Sequence, residues 1–224
     1  ECAIEGGTLR PEEVESSALE FFPADDFPPT LPWYRLALDH RNEREPFFDP
    51  PDFFSPQTGA GPTSRQRSGL TESSTWSFLR DRVGPEPLIL PGATALLRDP
   101  HSRVLLVRRM DTKLWSLPGG LLELGESLAQ TVMRETEEET GTKVQPIRIR
   151  GVFGGHRVVF PGGDPLYPIA TWFECNSLSG FLRPDGREID RTEFFDLSGL
   201  PEMVPGVADR LRSVLASPDA AVFP

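Results

Sequence analysis

The sequence predicts an α/β or α+β sandwich of about 145 residues, preceded by a long proline-rich segment. Three observations lead there. One strongly amphipathic helix at 127–140 sits between stretches of strand character, a second helix closes the chain, and the composition changes near residue 70.

Residues 1–70 carry 6 basic against 13 acidic side chains and 10 of the 24 prolines. Phenylalanines recur in pairs beside proline or acid, at Phe21-Phe22, Phe47-Phe48 and Phe53-Phe54. Prolines at that density interrupt both helices and central strands, so residues 1–72 read as a largely disordered acidic extension and linker. The paired phenylalanines leave open a docking role on the body or on a partner. Residues 73–224 form the expected domain.

Within that domain Trp76, Leu79 and Val83 recur at helical spacing and give a short lead-in helix, stopped by Gly84-Pro85. The apolar run 88–97 reads as a first strand, 99–102 as a hairpin turn, and 103–109 as the return strand. Loop character follows at 111–115. The helix at 127–140 opens on Ser127 and closes on Gly141. Strands are expected at 144–153, 169–175, 181–182 and 192–197, separated by turns such as 161–165, and a final helix at 204–215 presents Val207, Leu211, Val214 and Leu215 on one face.

Composition excludes some function classes. The net charge of -11 repels nucleic acid and anionic membrane surfaces but attracts a cation. Cys2 and Cys175 are too few for a disulfide framework or a paired-cysteine metal site. No apolar run reaches membrane-spanning length and residues 1 onward lack signal-peptide character, so a cytoplasmic location is expected. His40, His101 and His156 are dispersed, which argues against zinc.

On a helical wheel, Leu128, Ala129, Val132, Met133, Thr136 and Thr140 form one stripe for the core. Glu135, Glu138 and Glu139 form a second stripe beside it. Like charges at such spacing repel, and hard oxygen donors crowded on one rigid face suit Mg²⁺, with Mn²⁺ as a substitute.

The spacing around these residues resembles the box of the Nudix hydrolase superfamily. Gly120, Glu126, Arg134, Glu135, Glu138, Glu139 and Gly141 all fall at the positions that motif requires. Thr136 and Thr142 stand where it prefers aliphatic residues. The resemblance spans roughly 86–216 and implies a three-layer α/β/α sandwich with a mixed sheet. It also implies metal-dependent hydrolysis of a nucleoside diphosphate linked to another group. Carried over by position, Glu135, Glu138 and Glu139 are metal ligands, with the Gly120 carbonyl as a further one. Arg134 orients the glutamates, Glu126 pairs with it, and Glu123 matches an optional acid.

Divalent metals suit this chemistry because attack on a diphosphate must overcome like-charge repulsion. Glu188, in the late Gly-Arg-Glu loop, is the first candidate for a general base or extra ligand, and Glu193 is read as a strand residue or a weaker alternative. For the rest of the substrate, Phe153, His156 and Phe160 lie in segments similar to family loops, and Arg108 and Arg157, with Arg109, are the nearest cations. Phe153 and Phe160 read more readily as core plugs than as ligand contacts. The expected partner is a small nucleotide, ADP-ribose or a nucleotide sugar being preferred, with no membrane, no stable nucleic-acid binding, and a homodimer left open. The alternatives are a pyrophosphatase for oxidised or other nucleoside triphosphates, or a nucleotide-sensing Nudix module. The complete set of box glutamates favours an enzyme.

Overall fold

A computed structural model describes residues 75–159 and 165–223. The expectations for residues 1–72, for Phe160 and for most of the 161–165 turn lie outside these.

Helix α1 (Thr75–Val83) leads in, and strand β1 (Leu88–Leu97) follows. The chain continues through β2 (Val104–Arg109), β3 (Trp115–Ser116) and β4 (Gly119–Leu121) to helix α2 (Leu128–Thr140). Then come β5 (Thr142–Phe153), β6 (Val158–Val159), β7 (Pro165–Gly180) and β8 (Ile189–Phe195). A single 3-10 turn (Leu197–Gly199) leads towards the last helix, α3 (Val207–Ala216).

Two sheets result. The larger has the order β4-β1-β7-β5, with β6 added on β7. It is mixed, because β1 and β7 run parallel over ten register pairs from Leu88↔Leu166 to Leu97↔Cys175, whereas β4, β5 and β6 pair antiparallel. The smaller sheet, β3-β2-β8, is antiparallel. Side-chain alternation along the central strands sorts the core into two halves. Ala93, Ala95 and Leu97 of β1, with Phe173 and Cys175 of β7, pack against Val132 of α2. Leu96 and Trp172 face the other way, towards Val207, Leu211 and Val214 of α3. This is the α/β/α arrangement with a mixed sheet that the sequence predicts. The burial also pushes the Cys175 thiol up to about 12, so it behaves as a small core hydrophobe.

Several local expectations need correction. The 88–97 and 103–109 strands do not make a ladder with each other. Asp99 closes the turn by accepting the N–H groups of His101 and Arg103, both at 2.9 Å. Beyond the single Arg98↔Val104 bridge, β1 and β2 enter different sheets. Strand β7 is far longer than 169–175, since pairing with β1 extends its start to Leu166 and pairing with β5 carries its polar end to Gly180. Residues 181–182 are not a strand: Phe181 is 93% exposed and the chain has left the sheet, with the Arg183 N–H donating to the Thr140 carbonyl at 2.8 Å. The last helix starts later than 204 because residues 202–204 run alongside β3, through Trp115 N–H to Glu202 O at 3.0 Å and Val204 N–H to Trp115 O at 2.8 Å. Pro146 is tolerated inside β5 because that strand is at the end of the sheet path and shifts register around it.

Candidate active site

Helix α2 is fixed at both ends by its own sequence. Ser127 accepts the Gln130 N–H at 3.3 Å while the Gln130 side chain accepts the Ser127 N–H at 2.8 Å, a complete capping box. Gly141 ends the helix at φ 71°, a left-handed conformation open to glycine at little cost. The register between these caps decides which side chains meet the sheet. The buried face contains Thr131, Val132, Thr136, Glu139 and Thr140. Met133, expected in the core, is 41% exposed, and Thr131, not expected there, is fully buried. Glu139 therefore lies within the buried face, not beside it.

Beside this helix, β4 and the loop before β8 complete a cleft of about 350 Å³. Glu135, Glu138, Glu139 and Glu188 all line it, together with Arg109, Arg134, Gly119, Gly120 and Asp185. Arg134 organises one side. Its Nε and Nη2 reach the two Glu126 oxygens at 2.7 and 3.0 Å, a bidentate pair. Its Nη1 donates to Glu135 at 2.9 Å and Glu138 at 3.1 Å. Burial disfavours the Arg134 charge, but Glu126 and Glu135 outweigh it and the guanidinium is held more firmly protonated than usual. Burial likewise raises Glu126, yet Arg134 and the hydrogen bonds from Glu123 N–H and Thr131 leave it below the ordinary glutamate range.

Two of the acids facing the cleft, Glu135 and Glu139, behave oppositely. Burial lifts Glu135 above its usual value, against the pull of Arg134 and with the help of Glu138 and Glu188. Glu139 is lifted well above it by burial, with Glu135 and Glu188 adding to the effect; the Gly119 N–H, donating at 2.9 Å, and Arg109 only partly compensate. A Cβ on Gly120 would run into the Glu135 carboxylate, so glycine at this position lets the acid lie against the backbone of β4 without shifting.

Glu188 reaches the cleft through a loop shaped by Asp185. The Asp185 carboxylate accepts the backbone N–H groups of Arg187, Glu188 and Ile189 at 2.9, 3.1 and 2.9 Å, while the Glu188 carbonyl accepts the Met110 N–H at 2.7 Å. Arg109 is gripped by Asp111 at 3.0 and 2.7 Å, which holds it charged beside Glu139 and Glu188.

Among the described residues, no three acidic, histidine or cysteine side chains are gathered closely enough to hold an ion as they stand. Glu135 and Glu138 are engaged by Arg134. In kind, however, the donors fit a hard divalent cation. They are oxygen ligands only, and two of them, the buried Glu139 and the half-buried Glu135, are carboxylates whose charge the surrounding protein incompletely neutralises.

A model of the NUDIX domain matches residues 89–216. The chain belongs to the Nudix family. Among curated relatives, the ADP-ribose pyrophosphatase of Methanocaldococcus jannaschii is 32% identical over 106 residues, covering 46% of this chain and 59% of that protein. The NAD-capped RNA hydrolase NudC of Vibrio atlanticus is 33% identical over 121 residues, covering 53% and 42%. The chain spans about half the length of the curated relatives it matches. A solved UDP-X diphosphatase shares the fold at 22% identity and TM-score 0.52, over 66% of this chain and 72% of that one.

Against this Nudix framework the residues singled out in the sequence divide into two groups. Gly120, Arg134, Glu135, Glu138, Glu139 and Glu188 line one cleft, and Glu126 braces it through Arg134. Arg108 does not line it. Its guanidinium is paired with Asp190 at 2.7 and 2.9 Å, and its neighbour Arg109 points to the cleft instead. Phe153 is corrected as well: it is 1% exposed and packs on Trp172 with ring centroids 4.8 Å apart, a core plug without a free face for a ligand. His156 sits by Arg210, 3.1 Å away, and the Gly154 carbonyl, and Arg157 is exposed; neither lines the cleft. Glu193 lies in β8 opposite Leu106. Asp185 and Trp76 line the cleft although sequence reasoning missed them. Asp185 was legible as an acid three residues before Glu188 in a Pro-Asp-Gly turn; Trp76 carried no signal beyond helical spacing. No described helix is long and apolar enough to cross a membrane.

Proposed function

We propose that the protein is a metal-dependent Nudix hydrolase that cleaves the diphosphate linkage of a nucleoside diphosphate joined to a second group, with ADP-ribose or a nucleotide sugar as the favoured substrate. The observation that carries this reading is the meeting of Glu135, Glu138, Glu139 and Glu188 in one cleft that also holds Arg109. The names of the relatives support the substrate class, since one is an ADP-ribose pyrophosphatase and others are NAD-capped RNA hydrolases.

Glu135, Glu138 and Glu139 are the residues that would hold Mg²⁺ or Mn²⁺, with the Gly120 carbonyl beside them. When bound, the cation screens the diphosphate charge and acidifies water. The rest is done by the chain. Arg109, kept protonated by Asp111, binds a phosphoryl oxygen and stabilises the charge that builds on it. Glu188 accepts the proton of the attacking water. Arg134 holds Glu135 and Glu138 in a fixed orientation and is itself anchored by Glu126. The Gly119 N–H fixes the Glu139 carboxylate against β4. Held in this way, the acids share one cleft and have to draw closer together to hold the cation.

The test is hydrolysis of a panel of dinucleotides, nucleotide sugars, ADP-ribose and nucleoside triphosphates with Mg²⁺ or Mn²⁺, with products identified. Release of a nucleoside monophosphate from ADP-ribose or a nucleotide sugar is the expected result. Turnover of triphosphates alone would replace the substrate assignment, and ligand binding without turnover of any compound would favour a sensing module.

A further inference from the structure

Helix α1 lies before the NUDIX-domain match, which begins at residue 89, yet it reaches the cleft. Its first residue locks onto the box loop: the Thr75 N–H donates to Glu123 Oε2 at 2.7 Å, the Thr75 hydroxyl donates to the same oxygen, and the Leu124 N–H donates back to the Thr75 hydroxyl at 2.9 Å. This lock sets the next residue, Trp76, in the cleft wall, where it lines the same space as Glu123, Glu135 and Arg109. Arg80, one turn further along, lies over the indole with its guanidinium carbon 4.3 Å from the ring centroid. Arg80 is braced in turn by the carbonyls of Gly84 at 2.7 Å and Pro165 at 2.8 Å.

Among the described residues, the other groups lining the cleft are charged side chains and glycines together with Leu121, so they suit a diphosphate and offer no flat face to a weakly polar ring. Trp76 is the one aromatic ring among the described lining residues, a large planar π surface held beside the carboxylate cluster. We infer that Trp76 binds the nucleobase of the substrate by stacking, and that α1 is thereby a specificity element added to the Nudix domain. The inference rests on the proposed hydrolase reading for the location of the diphosphate. Stacking tolerates any base, because every base has a π face. The arrangement therefore predicts discrimination between nucleotides and base-free phosphates, and weak discrimination among bases.

The experiment compares competitive inhibition, or direct binding by calorimetry in the presence of Mg²⁺, by AMP, GMP, UMP and CMP against ribose 5-phosphate. Wild type, Trp76→Phe and Trp76→Ala are used as full chains. Removal of a base-stacking aromatic typically weakens binding by about fivefold or more. Wild type should prefer each nucleotide over ribose 5-phosphate, Trp76→Phe should keep most of that preference, and Trp76→Ala should lose it by about fivefold or more while ribose 5-phosphate binding changes less than about twofold. With the hydrolysed substrate, KM should rise and kcat change little. Equal weakening of nucleotides and ribose 5-phosphate would show that Trp76 only supports the helix and would overturn the inference, as would an unchanged preference in Trp76→Ala. Melting curves on the variants separate loss of the helix from loss of the ring; if Trp76→Ala does not fold, Trp76→Leu takes its place, and because leucine fills the site without a π face it should lose the preference while Trp76→Phe keeps it, a retained preference in Trp76→Leu overturning the inference. If wild type turns over no diphosphate but Trp76-dependent base preference persists, the hydrolase reading fails and this inference stands.

Discussion

Glu139→Gln should stabilise the metal-free protein while it disables the site. Glu139 is 7% exposed, accepts one hydrogen bond, from Gly119, and is approached by the like charges of Glu135 and Glu188. A carboxylate has room for about four hydrogen bonds, and an ion taken out of water with few partners costs several kcal/mol. Glutamine retains an acceptor for Gly119 and adds an N–H₂ that can donate to the neighbouring acids. The hydrogen bond to a charged acceptor is stronger than to a neutral one by about 1 kcal/mol, which offsets part of the gain. The net gain is about 1–2 kcal/mol, or a rise in Tm of about 2–8 °C for a domain of this size. The sign with pH follows from the raised folded-state pKa. The penalty is absent below the ordinary glutamate range, where the side chain is protonated in both states, and grows as pH rises through the folded value. The difference between variant and wild type should thus be small near pH 4 and largest near pH 8. Thermal melts in EDTA at both pH values measure it. A variant that melts below wild type at pH 8, or a difference that does not change with pH, would refute the claim that Glu139 is an incompletely neutralised buried charge.

Arg134→Lys removes the bidentate grip on Glu126 and frees Glu135 and Glu138. It should lower stability by roughly 1–3 kcal/mol, read from denaturant midpoints, and activity by about tenfold or more. Glu174→Gln should destabilise by roughly 1–3 kcal/mol, because it removes the negative charge that pairs with the buried Arg150 guanidinium and leaves that cation with neutral acceptors only, the amide oxygen and the Val214 and Ser217 carbonyls. Burial raises Glu174, but Arg148, Arg98 and Arg150 outweigh it and depress its folded-state pKa. Its contribution is therefore present above the ordinary glutamate range and lost as pH falls through it, so wild type and variant should converge in acid. Glu188→Gln should reduce kcat by roughly a hundredfold with KM nearly unchanged, as expected for a general base, and Glu193→Gln should have a much smaller effect.

The parts of this molecule that were legible in the sequence are those set by local chemistry. Ser127, Gln130 and Gly141 specify both ends of α2, and the spacing of Gly120, Arg134 and the glutamates specifies the box. What escaped depends on partners distant in sequence. The polar run that ends β7 becomes strand only because β5 lies beside it. Leu88–Leu97 and Val104–Arg109 look like a hairpin, yet each finds its longest ladder with a strand more than 60 residues further on. The rotation of α2 that buries Thr131 and exposes Met133 is decided by threonine hydroxyls that bond their own helix, as Thr136 and Thr140 do at 2.7 and 2.6 Å, and so pack as small apolar groups. Arg108 and Arg109 are indistinguishable as a pair until Asp190 claims the first and Asp111 the second. Trp76 could be placed in a helix but not in a cleft.

The most direct test of the central claim is turnover of ADP-ribose by wild type and by Glu138→Gln in Mg²⁺, with an EDTA control. The account predicts release of AMP by wild type, none with EDTA, and a loss of about a hundredfold or more in the variant. Turnover that persists in EDTA, or a Glu138→Gln protein that keeps more than about a tenth of wild-type activity, would contradict the assignment of this carboxylate cluster as the metal-dependent hydrolytic centre.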